Sequence, residues 1–112
     1  MSSLPIEFHR NSHGEAKALW QGHDSAGQIL AQFFEHELAA DTGYRERLVA
    51  EAEKQQRGQA AVWRTSGNGF AVVMEAKRVS LQPLFGAGQQ RVYTIDAHDF
   101  LALLHRWQAL VG

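Results

Sequence analysis

The chain has 112 residues, of which 45% are hydrophobic and 21% charged, and its formal net charge is −1. These values are typical of one globular domain spanning residues 1–112 and exclude collagen-like, disordered or highly charged chains. Cysteine is absent, which excludes disulfides and thiolate chemistry, and no hydrophobic run reaches the roughly 20 residues of a membrane helix. We therefore expect a cytoplasmic protein that does not enter membranes.

Residues 4–20 predict a β-hairpin. Two short alternating segments flank Asn11-Ser12-His13-Gly14, a cluster that favours a tight turn. Ser25 followed by Gln28 then predicts a capping box at the start of a helix. The hydrophobic residues after it recur at helical spacing and predict one buried stripe: Leu30, Phe33, Phe34 and Leu38.

A second helical stretch extends to Gly58, a residue type that often ends helices in the left-handed conformation. One helix over 25–57 would be about 50 Å long at 1.5 Å per residue. The radius of gyration of a domain this size is only about 13 Å. We therefore predict that the helix breaks at residues 41–43.

From residue 59 the hydrophobic period becomes two, which predicts four further strands. Asn68-Gly69 indicates a hairpin, because both residue types accept positive φ. Residues 75–77 predict the next turn, and an amphipathic helix follows Asp96. The order β-β-α-α-β-β-β-β-α predicts an α+β fold, with an antiparallel sheet and helices packed on one face.

Several residues of these elements have an order that is similar to that of a known protein family. They are Ile6-Glu7-Phe8 with Arg10, Gly22-His23, Trp63 before a glycine-containing hairpin, Met74 before Val79, and Asp99-Phe100-Leu101. In this order they resemble the YacL-like proteins of enterobacteria, an uncharacterised family of small bacterial proteins. The resemblance covers most of the chain and implies a compact bacterial cytosolic domain. It implies no catalytic residue.

Catalytic and metal-binding patterns are not evident in the sequence. His98 and His105 would be about 10 Å apart along one helix, so a single ion cannot bind both. There is no Gly-x-Ser-x-Gly motif, and Gly86-Ala87-Gly88 precedes a predicted strand instead of the helix that a phosphate loop needs. We predict no cofactor and no metal, while an enzyme site assembled from distant residues stays open.

Charge is distributed unevenly along the chain. Residues 24–42 contain four carboxylates and no lysine or arginine, a net charge of −4, whereas residues 59–95 contain four cations and one carboxylate, a net charge of +3. This pattern is consistent with solvated surfaces and protected strand edges, or with a docking surface for a partner of opposite pattern. The candidate partner-binding residues are Arg64, Lys77, Arg78, Ser80, Arg91, Glu35 and Glu37.

The hypothesis we favour is a non-catalytic protein-interaction module that docks on another protein, or on a second copy as a homodimer. The docking place would be a sheet edge or the polar sheet face bearing Arg64, Arg78 and Ser80. The alternative is binding of single-stranded nucleic acid through five cationic and aromatic residues: Trp63, Arg64, Arg78, Arg91 and Tyr93. The excess of positive charge is small for such a protein, and alternation places Trp63 and Arg64 on opposite faces.

Overall fold

The computed structural model describes residues 4–39, 41–59, 61–86 and 91–111. Its elements follow the predicted order and confirm the α+β class. They are β1 (Ile6–Arg10), β2 (Ala16–Trp20), α1 (Gly27–Gln32), α2 (Thr42–Gln56), β3 (Trp63–Ser66), β4 (Phe70–Glu75), β5 (Arg78–Pro83), β6 (Tyr93–Asp96) and α3 (Ala97–Val111). A π-helical turn, Phe33–Glu37, continues α1. The predicted Gly86-Ala87-Gly88 turn lies partly outside the described residues.

The strands form two antiparallel sheets instead of one. β1 pairs with β2 in the first sheet, and the second has the order β3-β4-β5-β6. The first hairpin packs on helices instead of joining the larger sheet: the ring of Phe8 lies 5.0 Å from the rings of both Phe34 and Trp107. The hydrophobic side of this hairpin is thus buried without any strand pairing to β3–β6.

The core lies between the larger sheet and the three helices. Alternate residues of β4 and β5 are buried on one face, while the other face is exposed or half-buried. Phe33 and Phe34 are adjacent and both fully buried. Phe33 contacts Phe70 of the larger sheet at 5.5 Å between ring centroids, and Phe34 contacts Phe8 of the smaller sheet. The π-helical turn therefore packs between the two sheets.

A break between the first two helices is present, but it lies earlier than predicted: residues 38, 39 and 41 are non-helical, whereas Thr42 and Gly43 already belong to α2. Asp41 caps α2, because its Oδ1 accepts a hydrogen bond from the Tyr44 backbone N–H at 2.9 Å. The predicted capping box at Ser25 is wrong: the N-cap of α1 is Ala26, which has no side-chain cap, and the Asp24 Oδ1 accepts the Ala26 N–H at 2.9 Å. Aspartate competes well for such N–H groups because it is charged.

Positive φ occurs in the second hairpin turn of the larger sheet and not in the first. The predicted hairpin at Asn68-Gly69 is confirmed by the pairing of β3 with β4, but the turn forms without positive φ at either residue. The left-handed residues are instead Ala76 (φ 53°) and Lys77 (φ 65°), which form the two-residue turn between Glu75 and Arg78. Positive φ at both central positions matches the right-handed twist of a hairpin, and here it occurs without glycine or asparagine.

Candidate functional site

The four carboxylates of the acidic segment all accept backbone N–H groups. Each does so through one oxygen at 2.9 Å: Asp24 from Ala26, Glu35 from Ala18, Glu37 from Gly69 and Asp41 from Tyr44. The two aspartates precede helical turns, which is a recognisable sequence signal. The two glutamates bind strands distant in sequence, and no local pattern reveals this. The acidic segment is thus part of the hydrogen-bonded framework.

Three of the predicted partner-binding residues share the outer face of the larger sheet. Arg64 and Ser80 belong to one cross-strand row, in which Arg64 pairs with Val73, Val73 with Ser80, and Ser80 with Thr94. Arg78 lies in the next row, between Glu75 and Asp96. The structure therefore brings Arg64, Arg78 and Ser80 onto one surface.

The remaining predicted residues lie elsewhere. Lys77 is in the β4–β5 turn, and Arg91 donates to the Ser25 hydroxyl at 2.9 Å. Glu35 and Glu37 bind different sheets, so they point away from each other. The seven residues do not form a single docking surface.

The aromatic and cationic residues of the nucleic-acid alternative are on opposite sides of the sheet. Trp63 pairs with buried Met74, whereas its neighbour Arg64 pairs with Val73 on the outer face. The ring of Tyr93 contacts the Trp20 ring at a centroid distance of 5.9 Å. Stacking of bases beside phosphate-binding cations needs both groups on one surface, and the described strands separate them.

Strand β3 has an open edge. Among the strands that the structure describes it pairs only with β4, and the Gly67 N–H donates to the Phe70 carbonyl at 3.0 Å. Hydrogen-bonded pairs alternate in an antiparallel ladder. The N–H groups of Arg64 and Ser66 therefore point away from β4, and neither has an acceptor among the described residues. This edge presents two free donors to an incoming chain.

The smaller sheet differs from this, because one of its outward N–H groups already has a side-chain acceptor. Glu35 accepts the Ala18 N–H of β2, and its second oxygen lies 3.9 Å from Lys17 Nζ. Protein sheets commonly protect an edge with such inward-pointing charges. The edge of β2 is blocked at Ala18, whereas no side chain from residues 4–39, 41–59, 61–86 or 91–111 accepts the equivalent N–H groups of β3.

Helix α2 packs on β4 and is antiparallel to β3, so that each end of the helix lies near one end of this strand. Its first turns lie at the β3–β4 turn, where Tyr44 and Arg47 face Gly67 across a cleft. At its last turn, Gln55 Nε2 donates to the carbonyls of Ala61 and Met74. The cleft has a volume of about 430 Å³. Its lining is polar: Glu37, Asp41, Gly43, Tyr44, Arg47, Thr65, Ser66, Gly67 and Asn68.

Two polar atoms at this cleft are buried without a hydrogen-bond partner. They are Glu37 Oε2 and the Tyr44 hydroxyl. The Glu37 carboxylate packs against the backbone of Gly67. It can do so because residue 67 is glycine, where a Cβ would overlap with Oε2. Burial, followed by the nearby Glu37 charge, raises the pKa of Tyr44 to about 12, so the phenol keeps its proton. Glu37 and Tyr44 thus bring to the cleft a carboxylate acceptor and a hydroxyl group that can donate or accept.

Comparison with protein families, curated proteins and solved structures gives no match. The likeness to the YacL-like proteins stays a resemblance. Within residues 4–39, 41–59, 61–86 and 91–111, no three histidine, aspartate or glutamate side chains are grouped as a metal site requires. No helix in these ranges combines the length and hydrophobicity needed to cross a membrane.

Proposed function

We propose that the protein is a non-catalytic interaction module that binds an extended segment of a partner protein as an additional strand beside β3. The observation that carries this proposal is the pair of outward N–H groups at Arg64 and Ser66. Main-chain hydrogen bonds provide affinity in strand addition, and pockets for alternate side chains provide specificity. The cleft between β3 and α2 supplies such a pocket.

The outer side of the edge favours a partner with an acidic side chain. Arg78 has carboxylates on both sides in its row, Glu75 and Asp96. The row of Arg64 contains none, since its other members are Val73, Ser80 and Thr94. An acidic side chain on the added strand would lie beside Arg64, where a cross-strand pair of opposite charges is stabilising.

A different protein suits this edge better than a second copy. The side chains of β3 that alternate toward the inner face are Trp63 and Thr65, as their pairing with buried Met74 and Val72 indicates. If β3 paired with β3 of a second copy, the side chain entering the cleft would be Trp63 or Thr65. Neither supplies a cationic group for Glu37. Val62, 45% exposed just before β3, adds apolar surface for a partner strand.

Amide hydrogen exchange tests the site directly. The probe is a capped eight-residue peptide of alternating valine and threonine, with one central threonine replaced by lysine. We expect the Arg64 and Ser66 amides to exchange rapidly in the free protein and at least tenfold more slowly with saturating peptide. Unchanged exchange at both amides under saturating peptide would contradict strand addition at β3.

Proline variants separate this edge from the opposite one. Ser66→Pro removes an outward N–H and places a ring at the open edge, while the inward bonds of β3 remain. Thr94→Pro makes the matched change on β6, whose Thr94 N–H also points outward from the β5 pairing. We expect Ser66→Pro to abolish peptide binding and Thr94→Pro to retain it. The reverse result, or protection that rises with protein concentration alone, would exclude the proposed occupant.

A further inference from the structure

We infer that the cleft between β3 and α2 binds a lysine or arginine side chain of the added strand, with Glu37 Oε2 as its principal acceptor. This inference rests on the proposed function and specifies its partner. It gives the partner segment a pattern of opposite charges on its two faces. An acidic side chain lies beside Arg64 and a basic one enters the cleft.

The alternation of a strand places these two side chains. Neighbouring residues of an extended chain point to opposite faces of the sheet. On β3 itself, Arg64 occupies the outer face and Thr65 lines the cleft. An added strand in the same sheet has the same alternation, so a residue next to the one beside Arg64 points toward the cleft.

The chemistry of Glu37 selects the charge of that residue. One carboxylate oxygen accepts the Gly69 N–H, and the other is buried without a donor. A charged oxygen removed from water is unfavourable unless a donor, and above all a cationic donor, reaches it. The cleft also contains Asp41, whose Oδ1 caps Tyr44, and a single cation, Arg47. Its two carboxylates outnumber that cation.

The Tyr44 hydroxyl adds a second contact. It is buried and unpartnered like Glu37 Oε2, and both residues line the same cleft. As a neutral phenol it can accept one N–H of an ammonium or guanidinium group. Lysine and arginine each carry several N–H donors, so one side chain can satisfy both atoms. A hydroxyl or a methyl group on the partner cannot do this and also neutralise Glu37.

Three versions of the capped valine–threonine peptide test the inference by fluorescence anisotropy. They carry lysine, arginine or methionine at the central position, and methionine is the uncharged control of similar length. We expect the lysine and arginine peptides to bind about tenfold more tightly than the methionine peptide, a typical effect of one partly buried charge pair. Equal affinity for all three, with the Arg64 and Ser66 amides still protected, would overturn the inference and leave strand addition intact.

Glu37→Gln and Glu35→Gln form a matched pair of variants. Each keeps a side-chain oxygen for its backbone N–H and removes one charge from the same π-helical turn. We expect Glu37→Gln to reduce the preference for lysine over methionine to less than about threefold, and Glu35→Gln to leave it unchanged. Loss of the preference in both variants would indicate long-range electrostatics and contradict a contact at Glu37.

Discussion

The backbone N–H of Lys77 donates to the side-chain Oε1 of Gln55 at 3.2 Å. Gln55 is buried, and its Nε2 reaches the carbonyls of Ala61 and Met74. The Lys77 carbonyl in turn accepts the Ala97 N–H at 2.8 Å, at the start of α3. One glutamine thus joins α2, both ends of the β3–β4 hairpin and the left-handed β4–β5 turn.

Gln55→Leu should destabilise the protein by about 2–4 kcal/mol, because a buried group left without a partner costs about 1–3 kcal/mol. Three bonds are lost, two from the amide nitrogen and one to its oxygen. Gln56→Leu changes an exposed glutamine one residue later, whose Nε2 hydrogen-bonds to His98 Nδ1 at 2.9 Å, and should cost less than about 1 kcal/mol. Urea unfolding of both variants measures the difference, and equal losses would show that Gln55 has no special role.

The β4–β5 turn should be improved by the residues that its geometry favours. Ala76→Asn with Lys77→Gly places asparagine and glycine at the two positive-φ positions and should stabilise the protein by about 1 kcal/mol, since left-handed backbone costs other residues about 1–2 kcal/mol each. The Lys77 N–H remains for Gln55. Thermal unfolding measures the change, and a lower Tm would mean that these side chains contribute more than the turn geometry.

Gly27 and Gly43 should respond oppositely to alanine. A Cβ at Gly27 would overlap with the Trp20 ring, whereas a Cβ at Gly43 meets only Asp41 Oδ1 at 3.6 Å. We expect Gly27→Ala to cost about 3 kcal/mol through overpacking and Gly43→Ala to gain up to about 1 kcal/mol in helix propensity. Trp20 fluorescence should shift only in the first variant. Equal stability of the two variants would refute the close Gly27–Trp20 packing.

Tyr44 should make stability depend on pH in the alkaline range. Its pKa rises from an ordinary 10.0 to about 12 on folding, so the unfolded chain loses this proton first. The stabilisation is present below pH 10 and is lost as the pH rises toward 12. Tyr44→Phe should lack this component, and the difference between the two unfolding curves should stay below about 2 kcal/mol because the ring is partly exposed. Parallel curves from pH 9 to 12 would contradict the burial of the phenol.

Periodicity in the sequence predicted the elements well, because each buried stripe is a local property. Phe33, Phe34 and Leu38 are fully buried as their spacing predicts, and Gly58 has the left-handed conformation expected at the end of α2. Turn chemistry was less reliable. Asn68-Gly69 is the stronger local signal, yet positive φ falls on Ala76 and Lys77, where Gln55 supplies a tertiary bond that local propensity does not encode.

The candidate site was only partly visible in the sequence. Arg64, Arg78 and Ser80 were expected on one polar face, and the strand register places them there. The cleft was not foreseen, because it depends on the path of α2 relative to β3 and on a glycine at position 67 that admits Glu37. Contacts between residues so distant in sequence have no period or motif to identify them.

The two glutamates of the π-helical turn also link the stability of the two sheets. Glu35 binds Ala18 and Glu37 binds Gly69, while no strand pairing connects one sheet to the other. Deleting one residue from 33–37 would shift the rotational phase of the turn, so that the two carboxylates could not both keep their acceptor positions. This short irregular segment of helix is therefore a shared anchor of both sheets, and its local unfolding would release the two sheets together.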